Sequence, residues 1–150
     1  MKNYGEINNK TSTGVIINTG DIWNYNPGNF MNSNNLTNTS NVKNMSNLFK
    51  GAIIFDQNLN NFNTSNVTDM SGMFSGATTF NQDISGWNVS SVRYFDKVFM
   101  NANSFNQDIG SWDVSSGTNF STMFYQASSI DQDLSSWVVK DNATVENMLD

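Results

Sequence analysis

Asp83, Asp108 and Asp133 follow one another at intervals of 25 residues, with Asn58 one interval earlier and Asp131 two residues before the last of them. Carboxylates in such register could do three kinds of work. They could hold calcium, which takes oxygen ligands. A pair of them could hydrolyse a glycosidic bond. Each could instead accept backbone amides in a tight turn. Recurrence at a fixed interval favours the turn, because catalysis needs one pair whereas a repeat needs a turn in every unit. The sequence has no EF-hand loop and no glycine–aspartate calcium repeat. No catalytic residue, metal ligand or cofactor is therefore expected.

Composition points the same way. The chain lacks histidine and cysteine, which removes thiol nucleophiles, imidazole bases, Ser-His-Asp triads and the usual zinc sites. An enzyme is not expected. Its net charge of -6 and pI near 4.3 argue against nucleic acid or an anionic membrane surface as a partner. No stretch approaches the roughly 18 apolar residues of a membrane span, and the opening MKNYGEINNK has no signal-peptide core. Neither membrane insertion, a signal peptide nor an anchor is expected in this chain.

Two groups of residues could bind a partner. Asn63, Ser65, Asn88, Ser90, Asp113 and Ser115 recur beside apolar neighbours, and alternation on a strand would align them as a polar ribbon. Short hydrogen-bonding side chains in a row suit a glycan or an extended peptide. Tyr94, Met100 and Tyr125 are departures from the repeat and are expected to form an apolar patch on a helix side, a protein contact.

What must position these groups is the repeat itself. Phe62, Trp87, Trp112 and Trp137 lie 25 apart. With that residue as position 1, units start at Thr37, Phe62, Trp87 and Trp112, and a partial fifth starts at Trp137. Apolar residues return at positions 6, 9, 12, 13, 19 and 23, as in Val67, Met70, Met73, Phe74, Phe80 and Ile84. Such a period marks stacked units that bury their apolar faces against one another. The alternation from Ile84 to Val92 predicts a short parallel strand. The Met70, Met73, Phe74 spacing predicts a short helix, with Asn44, Asp69 and Asn119 as N-caps and Gly51, Gly76 and Asn101 as left-handed ends. Ala52, Ala77, Ala102 and Ala127 at position 16 allow coils to approach closely, and Gln57, Gln82, Gln107 and Gln132 are expected to stack as an amide ladder. The expected fold is thus an α/β, leucine-rich-repeat-like solenoid of 25-residue coils, each a strand plus a helix. Residues 36–150 form four full repeats and a partial fifth, and residues 1–35, with Ile16, Ile17, Ile22 and Trp23, form an atypical N-terminal cap.

The runs FNQDISGWNVSSV and MSGMFSGATTFNQDIS resemble the repeats of BspA-type leucine-rich-repeat surface proteins and mycoplasma-type lipoproteins, over about Leu36 to Asp150. The resemblance implies a non-enzymatic binding scaffold, adhesin-like, at the cell surface or outside the cell, for a protein or glycan ligand. The alternative is a structural or decoration protein of a virus or phage particle, whose partners would be neighbouring subunits.

Overall fold

The computed structural model describes residues 39–60 and 62–149. The expected N-terminal cap lies outside these residues. Successive 25-residue coils stack in register: parallel bridges join Asn44 to Asp69, Asp69 to Tyr94, Tyr94 to Asn119 and Asn119 to Thr144. These four isolated bridges are the only sheet pairing among the described residues. No helix forms among them either. The expectation of an α/β solenoid with one strand and one helix per coil is therefore corrected: the coils are built from turns.

The backbone hydrogen bonds show how. In the first three coils the amides at positions 9, 11, 13 and 15 donate to the carbonyls at positions 8, 10, 12 and 14 of the next coil, and in the fourth those at positions 9, 11 and 13 do the same. Met45, Asn47, Phe49 and Gly51 donate in this way to Asp69, Ser71, Met73 and Ser75, over 2.7–2.9 Å. The amides between them turn back on their own coil, Leu48 to Met45, Lys50 to Asn47 and Ala52 to Phe49. Positions 11 and 15 take positive φ, from Asn47 (58°), Gly72 (65°), Lys97 (60°) and Thr122 (53°) to Gly51, Gly76, Asn101 and Gln126. That is the conformation a type II turn demands of its third residue, and it cannot continue a helix. Gly51, Gly76 and Asn101 are thus left-handed as expected, but they close turns rather than helices. Asn44, Asp69 and Asn119 likewise cap turns: their Oδ1 atoms accept the amides of Ser46, Ser71 and Ser121 at 2.8–3.0 Å.

Turns leave one side of every coil free to pack, and the core is a column of rings. Phe49, Phe74, Phe99 and Phe124 stack at centroid spacings of 5.5–5.7 Å. Beside them Phe55, Phe80 and Phe105 stack at 5.8–6.1 Å. Within a coil the two columns touch, their rings nearly parallel with centroids 4.3, 4.1 and 4.0 Å apart. Ala52, Ala77, Ala102 and Ala127 are buried at the crowded position. The fourth coil has Gly117 in place of valine at position 6, and the ring of Phe120 occupies the space a Cβ there would need.

The glutamines do not form a ladder among themselves. Gln82, Gln107 and Gln132 each donate Nε2 to the carbonyl and the side-chain Oδ1 of Asp56, Asn81 and Asn106, one coil back, at 2.7–3.1 Å. The same Oδ1 atoms accept the amides of Asn81, Asn106 and Asp131 at 2.9 Å. A primary amide has two donors, and the nearest acceptors that satisfy them belong to position 20 rather than to another glutamine.

Candidate functional site

The polar ribbon forms without a strand. Positions 1 and 3 point inward at Phe62, Thr64, Trp87, Val89, Trp112 and Val114, all buried, while Asn63, Asn88 and Asp113 are exposed. Turns rather than pleating produce this alternation: Val67 donates its amide to Thr64, Val92 to Val89 and Gly117 to Val114. Each position-2 residue then pairs with the serine two residues on. Asn63 Oδ1 accepts the amide and hydroxyl of Ser65 at 3.0 and 2.6 Å. Asn88 does the same with Ser90, and Asp113 with Ser115 at 3.1 and 2.6 Å. The hydroxyl first, and then the amide, of Ser115 hold the Asp113 carboxyl below its usual pKa. Buried Thr64 ties this edge to the next coil by donating its hydroxyl to the Asn88 carbonyl.

The ribbon ends in a depression. Gly110, Ser111, Trp112, Asp113, Val114 and Ser115 line an open cavity of about 470 Å³ together with Ser136 and Val138 of the fifth coil. Val138 occupies position 2, where the other described coils carry Asn or Asp, and is 69% exposed. The cavity therefore combines one ionised carboxylate, several hydroxyls and an apolar wall, a mixture suited to holding a ligand by few directed bonds.

The acidic row is spent on turns. Asp83, Asp108 and Asp133 accept the amides of Ser85, Gly110 and Ser135 at 2.9–3.0 Å, and the serine hydroxyls and amides lower the pKa values of Asp83 and Asp133. Among the described residues no three acidic side chains gather as a metal site would require.

Tyr94, Met100 and Tyr125 are not on a helix, since none exists there. Met100 and Tyr125 are neighbours in register at position 14, their carbonyls taking the amides of Gly76 and Asn101. Tyr94 lies in another row, bridged to Asp69 and Asn119, and is 45% exposed. Sequence reasoning missed two apolar side chains of the same kind, Ile53 and Ile54, which are exposed where later coils carry Thr78-Thr79, Asn103-Ser104 and Ser128-Ser129. The signal was available as a departure from the repeat.

A family model described as "Mycoplasma protein of unknown function, DUF285" matches residues 21–137. The chain belongs to this family. The match accords with the mycoplasma-type resemblance of the repeat, and its description assigns no activity. No curated protein and no solved structure matches the chain. Among the described residues no helix is long and apolar enough to cross a membrane.

Proposed function

We propose that the chain is a non-enzymatic scaffold that recognises a protein or glycan ligand, adhesin-like, at a cell surface or outside the cell. The observation that carries this reading is the edge formed by Asn63-Ser65, Asn88-Ser90 and Asp113-Ser115, where one hydrogen-bonded pair recurs in three successive coils and opens onto a cavity. A row of like acceptors at matching positions of successive coils is complementary to a ligand that itself repeats, such as a glycan chain or an extended peptide. The pairs are held by their own serines, so the row is fixed before any ligand arrives and little ordering is needed on binding.

The test is a glycan array and an immobilised peptide array probed with the wild type and with an Asn88→Ala, Asp113→Ala double variant. The reading predicts a ligand retained by the wild type and lost by the variant. Finding no ligand on either array, or one bound equally by both proteins, would remove the ribbon as the binding edge.

A further inference from the structure

Peptide groups in the bridged rows of this stack point one way. A trans peptide carries its N–H opposite its carbonyl, so the peptide that accepts at Asp69 donates onward through Met70. One string therefore runs from Met45 to Asp69, Met70 to Tyr94, Phe95 to Asn119 and Phe120 to Thr144, amide to carbonyl each time. A second runs from Asn47 to Glu146 and a third from Phe49 to Met148, all over 2.7–3.1 Å. Hydrogen-bonded peptides in line polarise one another and add their dipoles, as they do along an α-helix. On the fifth coil the next donors are the amides of Val145, Asn147 and Leu149, which have no acceptor among the described residues.

Side chains are uncovered on the same face. Position 9 is fully buried at Met45, Met70, Phe95 and Phe120 but 49% exposed at Val145. Position 13 is buried at Phe49, Phe74, Phe99 and Phe124 but 70% exposed at Leu149. Whatever covers this face must supply three carbonyls in line together with an apolar surface. An apolar ligand alone would leave the three amides desolvated and unpaired. The identical face of a second copy would set amide against amide. A coil of this repeat meets both demands: Asp69, Ser71 and Met73 present their carbonyls to the coil before, while Phe74 stacks on Phe49 at 5.5 Å.

We propose that the outer face of the fifth coil takes up a further coil of the same 25-residue repeat from a second polypeptide. The carbonyls at positions 8, 10 and 12 of the incoming coil accept the amides of Val145, Asn147 and Leu149, and its apolar positions cover the exposed valine and leucine. The contact continues, with the same polarity, an interface that the chain already forms four times. It is heterologous, donor edge to acceptor edge. It uses none of the residues of the Asn63–Ser115 ribbon, so either reading can fail alone.

The experiment titrates the full chain with a synthetic peptide of residues 62–86, followed by amide NMR shifts and hydrogen exchange. Gly72 and Gly76 at the two left-handed positions ease the folding of this peptide onto the face. Saturable shifts and slowed exchange at Val145, Asn147 and Leu149 are expected, and none from a scrambled peptide of the same composition. Val145→Asp and Leu149→Asp alter exposed side chains and should leave the circular dichroism of the chain unchanged. Each is expected to weaken peptide binding roughly tenfold, by placing a charge in an apolar contact. No shift at the three amides, equal shifts from the scrambled peptide, or binding untouched by both variants would overturn the proposal. So would self-association of the chain without peptide that both variants abolish, which would assign the face to a second copy. None of these outcomes bears on ligand retention by the ribbon.

Discussion

Trp87 and Trp112 occupy the same position in consecutive coils, and only one of them has a home for its indole N–H. Trp112 Nε1 donates to the Ile84 carbonyl at 3.1 Å, as Trp137 Nε1 does to the Ile109 carbonyl at 2.9 Å. Trp87 Nε1 is buried with no partner, although the ring is only 8% exposed. Replacing each with phenylalanine, the residue that stands at Phe62, removes a similar volume beside similar neighbours: Phe62 and Phe74 for Trp87, Phe95 and Phe99 for Trp112. The packing loss is therefore common to both and cancels in the comparison. What remains is a lost hydrogen bond at Trp112, about 0.5–1.5 kcal/mol, and a relieved buried donor at Trp87, about 1–3 kcal/mol. Trp112→Phe should thus be less stable than Trp87→Phe by about 1.5–4.5 kcal/mol. Urea unfolding of both variants, followed by tryptophan fluorescence and far-UV circular dichroism, measures the difference. Coincident transitions by the two probes are required, because stacked repeats can unfold in parts. Equal stabilities, or Trp87→Phe as the weaker variant, would refute the reasoning.

Removing the Trp112 ring altogether, in Trp112→Ala, should cost roughly 3–5 kcal/mol. A loss below about 1 kcal/mol in the same unfolding assay would mean that the ring does not hold the coils together. Gly72→Ala should lose roughly 1–3 kcal/mol, since its φ is positive and a Cβ there would meet Asn47 Oδ1. Thr122→Gly should change stability in the opposite direction, because it frees a β-branched residue from a left-handed backbone; thermal unfolding of the pair decides both signs. Asp83, Asp113 and Asp133 have lowered folded-state pKa values. Their contribution should be present above the unfolded carboxylate pKa and be lost as pH falls through the folded values. Asp96 is raised and acts in reverse, ionising at a cost as pH rises, so Asp96→Ser should gain relative stability toward neutral pH. Carboxyl-carbon NMR titration and stability measured against pH check both signs.

Much of the architecture was legible because identical neighbours make a packing position visible as a column of letters. Ala52, Ala77, Ala102 and Ala127, the paired phenylalanines and the amide-accepting Asp83, Asp108 and Asp133 all occupy the roles their recurrence suggested. The helix was misread for a physical reason. Met70, Met73 and Phe74 have helical spacing, but a turn spanning four residues brings its first and last side chains to one side just as a helical turn does. The discriminating residue was position 11, where Asn47, Gly72 and Asn147 favour positive φ; Lys97 and Thr122 obscured it, being residues that rarely adopt that conformation. The ribbon was found because its in-and-out alternation survives the loss of the strand, whereas Tyr94 was grouped with Met100 and Tyr125 because a helix would have brought together rows that turns keep apart.

The amides at positions 9, 11 and 13 donate forward, from each of the first four coils to its successor, while those at position 7 donate back, as Thr68 does to Lys43 and Arg93 to Thr68, so every junction repeats one directional pattern of donors and acceptors. A coil can be removed or duplicated and its neighbours will still meet matching partners. A partial insertion in this stretch would set donor against donor and move rings out of their columns. Lineages carrying this fold should therefore vary in length by whole coils, and recombination between similar coils becomes a source of new surfaces that leaves the interior intact.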